Sequence, residues 1–111
     1  MFSMIYWGLP KNSGPVTNAV RAGDRVFTVQ IPREYSTGDV ETSGDIRDQT
    51  RRVLENLRKV MEAAGGSLQD VVQVLIFLVD SRDAAGMNEV YREFFSEPFP
   101  NRATVVVKEL L

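Results

Sequence analysis

Arg102 opens a β-branched run, Thr104 to Val107, directly after a corner made by Pro98 and Pro100. Proline has no amide hydrogen and pushes the residue before it out of helical space, so a helix burying Phe94 and Phe95 must stop there and the chain must turn. A guanidinium at the mouth of a rigid strand can grip a carboxylate through two parallel hydrogen bonds, which an arginine on a loose loop does poorly. The competing role is a weak strand-start ion pair with Glu97 or Glu109. Asn88 is the second polar residue to note. Asparagine is a poor interior-helix residue, so it either caps neighbouring backbone groups or serves a site. With no cysteine and no histidine, the chain builds no thiolate nucleophile, no Ser-His-Asp triad and no His/Cys zinc site. The carboxylates are scattered without ligand spacing, so no metal or other cofactor is expected. Chemistry falls to arginine, lysine, carboxylates, hydroxyls, amides, the backbone and water.

The elements that must hold these groups fit one domain over residues 1–111, a length that buries roughly 60 to 70 per cent of the unfolded surface. Thirteen Lys and Arg against fifteen Asp and Glu leave a net charge of -2, so nucleic acid and anionic lipid are disfavoured partners. The start, MFSMIYW, lacks a basic leader, and no apolar run approaches the ~20 residues of a membrane span. A cytoplasmic location is expected.

Phe2 to Trp7 reads as a short edge strand ended by Gly8 and Pro10, and Lys11 to Pro15 as a loop. Asn18 to Arg21 is a second strand, and Ala22-Gly23-Asp24 is a hairpin turn into a third, Arg25 to Ile31. On that third strand the alternation puts Phe27, Val29 and Ile31 on a core face and Val26, Thr28 and Gln30 on a mixed one, with Gln30 a candidate for lining a cleft. Pro32 to Gly44 is a polar loop long enough to serve as a rim or lid. Asp45 to Ala64 carries Ile46, Val53, Leu54, Leu57, Val60, Met61 and Ala64 at helical spacing, with Thr42 and Asp45 as a capping pair and Gly65-Gly66 as the stop. Its arginines are interspersed with Asp48, Glu55 and Glu62, which makes a solvated face rather than a nucleic-acid patch.

Val71 to Val79 has Gln73 as its one polar residue, so both faces are apolar, as in a buried central strand. Asp80 to Asp83 caps a second helix, Ala84 to Phe95, whose stripe of Met87, Val90, Tyr91, Phe94 and Phe95 reads as core. Tyr35 and Tyr91 read as packing or rim residues. A last strand, Arg102 to Glu109, places Arg102 with Thr104, Val106 and Lys108 on one face. Two helices cover one face of a sheet, yet the Val71–Val79 strand is apolar on both. A homo-oligomer in which sheets meet is therefore expected, with Arg102 at the seam.

GPVTNAVRAGDRVF with QIP, DIRDQTRRVLENLRKVMEAAGGSLQDVV, FLVD followed by MNEVYREFF, and PNRATV together resemble the RidA (YjgF) family of enamine and imine deaminases, in order from Gly14 to Val107. The resemblance implies an α+β fold like chorismate mutase of the Bacillus type: a mixed sheet with two helices on one face, assembled as a homotrimer around a sheet-lined barrel with ligand clefts between subunits. It implies that Arg102 binds the substrate carboxylate, that Thr104 offers its backbone carbonyl toward a hydrolytic water, and that Asn88 is the helical asparagine of the site. An imine beside a carboxylate is already electrophilic, so orienting it and presenting water can suffice. Val16 stands where the family motif has a tyrosine, and TVQIP replaces a longer glycine-bearing strand end. Relatives continue into a last strand whose glutamate positions the water; the sequence ends at Leu111, and Glu109 is too near Arg102 to be that residue. The resemblance thus implies a hydrolytic deaminase of 2-imino and 2-enamino acids. The alternatives are a non-catalytic oligomer that binds a small carboxylate such as a 2-oxo acid and, disfavoured by charge and the lack of histidine, a ribonuclease.

Overall fold

The computed structural model describes residues 1–10 and 13–111; the first two positions of the expected 11–15 loop lie outside the described residues. Strands β1 (Ser3–Met4), β2 (Ala19–Ala22) and β3 (Arg25–Thr28) form an antiparallel ladder in that order. The β2–β3 hairpin closes through Gly23 and Asp24, with Ala22 opposite Arg25. Gly23 sits at φ 62°, a left-handed conformation that glycine adopts without a Cβ clash. Helix α1 (Ile46–Ala63) follows, then strand β4 (Gln73–Leu78), helix α2 (Ala84–Phe94) and strand β5 (Asn101–Val106). Strands β4 and β5 are parallel, joined by a crossover through α2, with Val74 opposite Arg102 and Ile76 opposite Thr104. The α+β class and the two helices are as expected, but the mixed sheet is hydrogen-bonded in two pieces, one antiparallel and one parallel.

Local signals account for the helix ends. The Asp45 side chain caps α1 by accepting from the amides of Arg47 and Asp48, and Asp48 returns the bond to the Asp45 amide. The capping partner is therefore Asp48, three residues inside the helix, and not Thr42; reciprocal bonds of this spacing satisfy two otherwise orphan amides. At the other end Gly65, at φ 92°, turns the chain, and the Arg21 guanidinium on β2 donates to the Ala64 carbonyl. A cation there meets the negative end of the helix dipole. Helix α2 ends at Phe94 and the chain swings through Pro98 and Pro100 into β5, as the prolines require.

Two apolar clusters hold the layers together. Leu54, Met61, Leu68, Met87, Tyr91 and Phe95 join α1 to α2, with Val74 and Ile76 of β4 packed against them. Ile5, Trp7, Ala19 and Val60 tie the antiparallel ladder to α1, with Val26 against them. The last contact overturns the face assignment for β3. Val26 points to the helices, while Phe27, Val29 and Ile31, expected in the core, are 55, 72 and 37 % exposed. Alternation was read correctly but its sign was not, because both faces carry apolar residues and only α1 decides which is covered.

Loop 32–44 is strapped to α1. Arg33 bridges Val40, Arg52 donates to the carbonyls of Glu41 and Ser43, and Asn56, 2 % exposed, donates to the Arg33 carbonyl at 3.0 Å. Asn56→Leu leaves that carbonyl without its partner and is expected to cost about 1–3 kcal/mol. The check is a lower urea midpoint with an unchanged slope; an unmoved midpoint contradicts the strap.

Candidate functional site

Asn88 and Tyr91 are three residues apart on α2, which puts them on one side of the helix. Across from them the proline corner brings Phe99, Pro100 and Arg102. These residues and Arg92 line an open crevice of about 240 Å³. Asn88 is half-buried, Arg102 exposed and Tyr91 only 4 % exposed. The Arg102 guanidinium carbon lies 4.7 Å from the centroid of the Tyr91 ring. Arg102 forms no ion pair among the described residues, so neither Glu97 nor Glu109 takes it up. A cation with unspent donors, beside an amide and at the mouth of a crevice, suits a small carboxylate.

Three of the four α1 arginines present a different picture. Arg47 pairs with Glu89, Arg51 with Glu93 at 2.7 Å and Arg58 with Glu55 at 3.0 Å. Their charge is spent on neighbours, two of them on α2, as expected of a solvated face.

Thr104 lies outside the lining of the crevice, but strand geometry aims its carbonyl. Asn101 and Val107 donate their amides to the Val72 and Leu78 carbonyls, so odd-numbered residues of β5 turn their main chain toward β4. Arg102, Thr104 and Val106 therefore turn theirs to the open edge, since the amide and carbonyl of one strand residue point the same way. The Thr104 carbonyl is thus free to meet water or a neighbouring molecule at that edge.

Gln30 is not brought to this crevice within the chain. It shares the helix-facing side of the antiparallel ladder with Val26 and Thr28, and its amide donates to Asn18 Oδ1 at 3.2 Å and Thr28 Oγ1 at 2.9 Å. Its Oε1 is buried without a partner among the described residues. Tyr91 is the residue that sequence reasoning left out of the site. Its place on the apolar stripe marks it as core, which it is, and its spacing from Asn88 was the available clue. Burial pushes its phenol above the ordinary value, with the nearby Arg102 charge opposing, so the ring stays neutral near pH 7. Among the described residues no group of three or more His, Cys, Asp or Glu gathers as a metal ion would need, and no helix is long and apolar enough to cross a membrane.

The model of the Endoribonuclease L-PSP family matches residues 9–111, and the chain belongs to that family, which is the RidA/YjgF family. A RutC family protein of Pyrococcus horikoshii is 49% identical over 102 residues, covering 91% of this chain and 80% of the relative. The 2-iminobutanoate/2-iminopropanoate deaminase of Dermatophagoides farinae is 40% identical over 102 residues, covering 91% of this chain and 79% of its own. The crystal structure of Escherichia coli TdcF with bound serine superposes with a TM-score of 0.84 at 37% identity, covering 97% of this chain and 87% of that one.

Proposed function

We propose that the chain is a RidA-type hydrolytic deaminase, a single domain over residues 1–111, acting on reactive 2-imino and 2-enamino acids. Arg102 holds the substrate carboxylate, Asn88 orients the substrate, and the Thr104 carbonyl at the open edge of β5 accepts a hydrogen bond from the attacking water. The observation that carries this reading is the Arg102 guanidinium, unpaired among the described residues and lining one crevice with Asn88. A relative named as a 2-imino acid deaminase supports the substrate class. Holding the substrate against a positioned water removes much of the entropic barrier for an already electrophilic carbon.

The chain works as a homotrimer, with the crevice completed at a subunit seam and Gln30 supplied there. The support is apolar surface on the side of both ladders turned away from the helices: Met4, Phe27, Leu75 and Phe77 are 56, 55, 57 and 48 % exposed. Large apolar side chains exposed on the uncovered side of both ladders are what an interface would bury.

A second reading, binding of a small carboxylate without turnover, is favoured by one observation: among the described residues no carboxylate side chain lines the crevice to position the water. One experiment separates the two. An imino acid generated in situ by an amino acid oxidase is expected to release ammonia faster in the presence of the protein; binding of a 2-oxo acid with no acceleration selects the second reading. The family's ribonuclease label is tested alongside, and intact RNA after incubation is expected because the net charge is -2 and Arg47, Arg51 and Arg58 of α1 are already paired with glutamates.

A further inference from the structure

Tyr91 is buried at 4 % exposure, yet its hydroxyl has no partner among the described residues. A phenylalanine fills the same space without stranding a phenol, so the work of the ring and the work of the hydroxyl are separable. The ring has two close neighbours. Phe95 packs on it with centroids 4.6 Å apart, and the Arg102 guanidinium lies over it at 4.7 Å. The helix beneath is firmly held: Met87 and Val90 are 3 and 1 % exposed, and Glu89 and Glu93 are paired to α1.

Arg102 itself is exposed and has neither ion pair nor side-chain hydrogen bond to the described residues. A long side chain in that position samples many rotamers and gives up that freedom on binding. An aromatic face restrains it differently from a carboxylate. It attracts the cation through the ring quadrupole and leaves the N–H donors uncommitted. A carboxylate partner would hold Arg102 as well but would occupy the donors a ligand needs.

We infer that Tyr91 is a positioning residue, its ring a platform that fixes the Arg102 guanidinium at the mouth of the crevice with its donors free for a ligand carboxylate. The inference rests on the reading of Arg102 as the carboxylate grip, and it assigns the role to the ring rather than to the hydroxyl.

The test titrates the wild type, Tyr91→Phe and Tyr91→Leu with 2-oxobutanoate, a carboxylate that is not turned over, by calorimetry. Tyr91→Leu is expected to bind about fivefold to tenfold more weakly, the range of a partly desolvated cation–π contact. Tyr91→Phe restores affinity to within about twofold, because it keeps the π face. In the deaminase assay the Leu variant raises KM more than it lowers kcat. A second measurement needs no variant: the Arg102 Nε–H proton resonates upfield of its random-coil position in the wild type, through the ring current of Tyr91. Equal affinity of the wild type and the Leu variant, or an unshifted Arg102 resonance, overturns the platform and leaves the carboxylate grip standing. No binding of 2-oxobutanoate to the wild type overturns the grip and the platform with it.

Discussion

Arg102→Ala is expected to lower kcat/KM for release of ammonia from a 2-imino acid by about 100-fold, which corresponds to about 3 kcal/mol of lost interaction with the carboxylate. The size follows from the state of the guanidinium. An arginine already paired to a glutamate contributes to a ligand only what it withdraws from that partner. Arg102 is unpaired within the described chain, so nearly the whole charge-assisted bond is available to the substrate. Folding is little affected, since the side chain is exposed and rests on the Tyr91 ring. Arg102→Lys keeps the charge but not the two-pronged geometry and falls between wild type and alanine. If the alanine variant turns over the imino acid within about threefold of wild type, under ~1 kcal/mol of difference, the guanidinium does not hold the substrate.

Much of the scaffold around this arginine is legible in the amino-acid sequence. The helix over residues 46–63 announced itself through its periodic stripe and its glycine stop, and the proline corner placed the start of the last strand within a residue. Gly23-Asp24 marked the hairpin because few other pairs turn so tightly. What failed was the side of β3. A strand with Phe27, Val29 and Ile31 on one face and Val26 on the other states its alternation but not which face a helix will cover. Only the packing of Val26 beside Trp7 and Val60 answers that. The candidate site divided in a similar way. Arg102 and Asn88 stood out because each is chemically odd for its position, whereas Tyr91 was hidden because its second task uses the same ring that packs the core. Gln30 was singled out by alternation alone, which cannot say what lies across a cleft; within one chain its amide is bound to Asn18 and Thr28.

The uncovered apolar face gives the other large effect, in Phe77→Glu. Val74 and Ile76 pack against the helices, so Leu75, Phe77 and Val105 on alternate positions of β4 and β5 face away from them, 57, 48 and 39 % exposed. Because Phe77 does not belong to either buried cluster, the variant chain is expected to fold with unchanged far-ultraviolet circular dichroism. Its association is another matter. Burying a phenylalanine contributes about 1.5–3 kcal/mol, and a carboxylate in its place must be desolvated without a cation opposite it. In the proposed closed trimer each seam bears that cost, so sedimentation is expected to shift from the assembled species to monomer at micromolar concentration. Deamination falls with it if neighbouring subunits complete the crevice, and the fall then tracks the monomer fraction as protein concentration is varied. A variant that sediments as wild type shows that this face is not the seam. One that dissociates yet keeps its full rate shows that Asn88, Arg102 and the β5 edge work within a single chain.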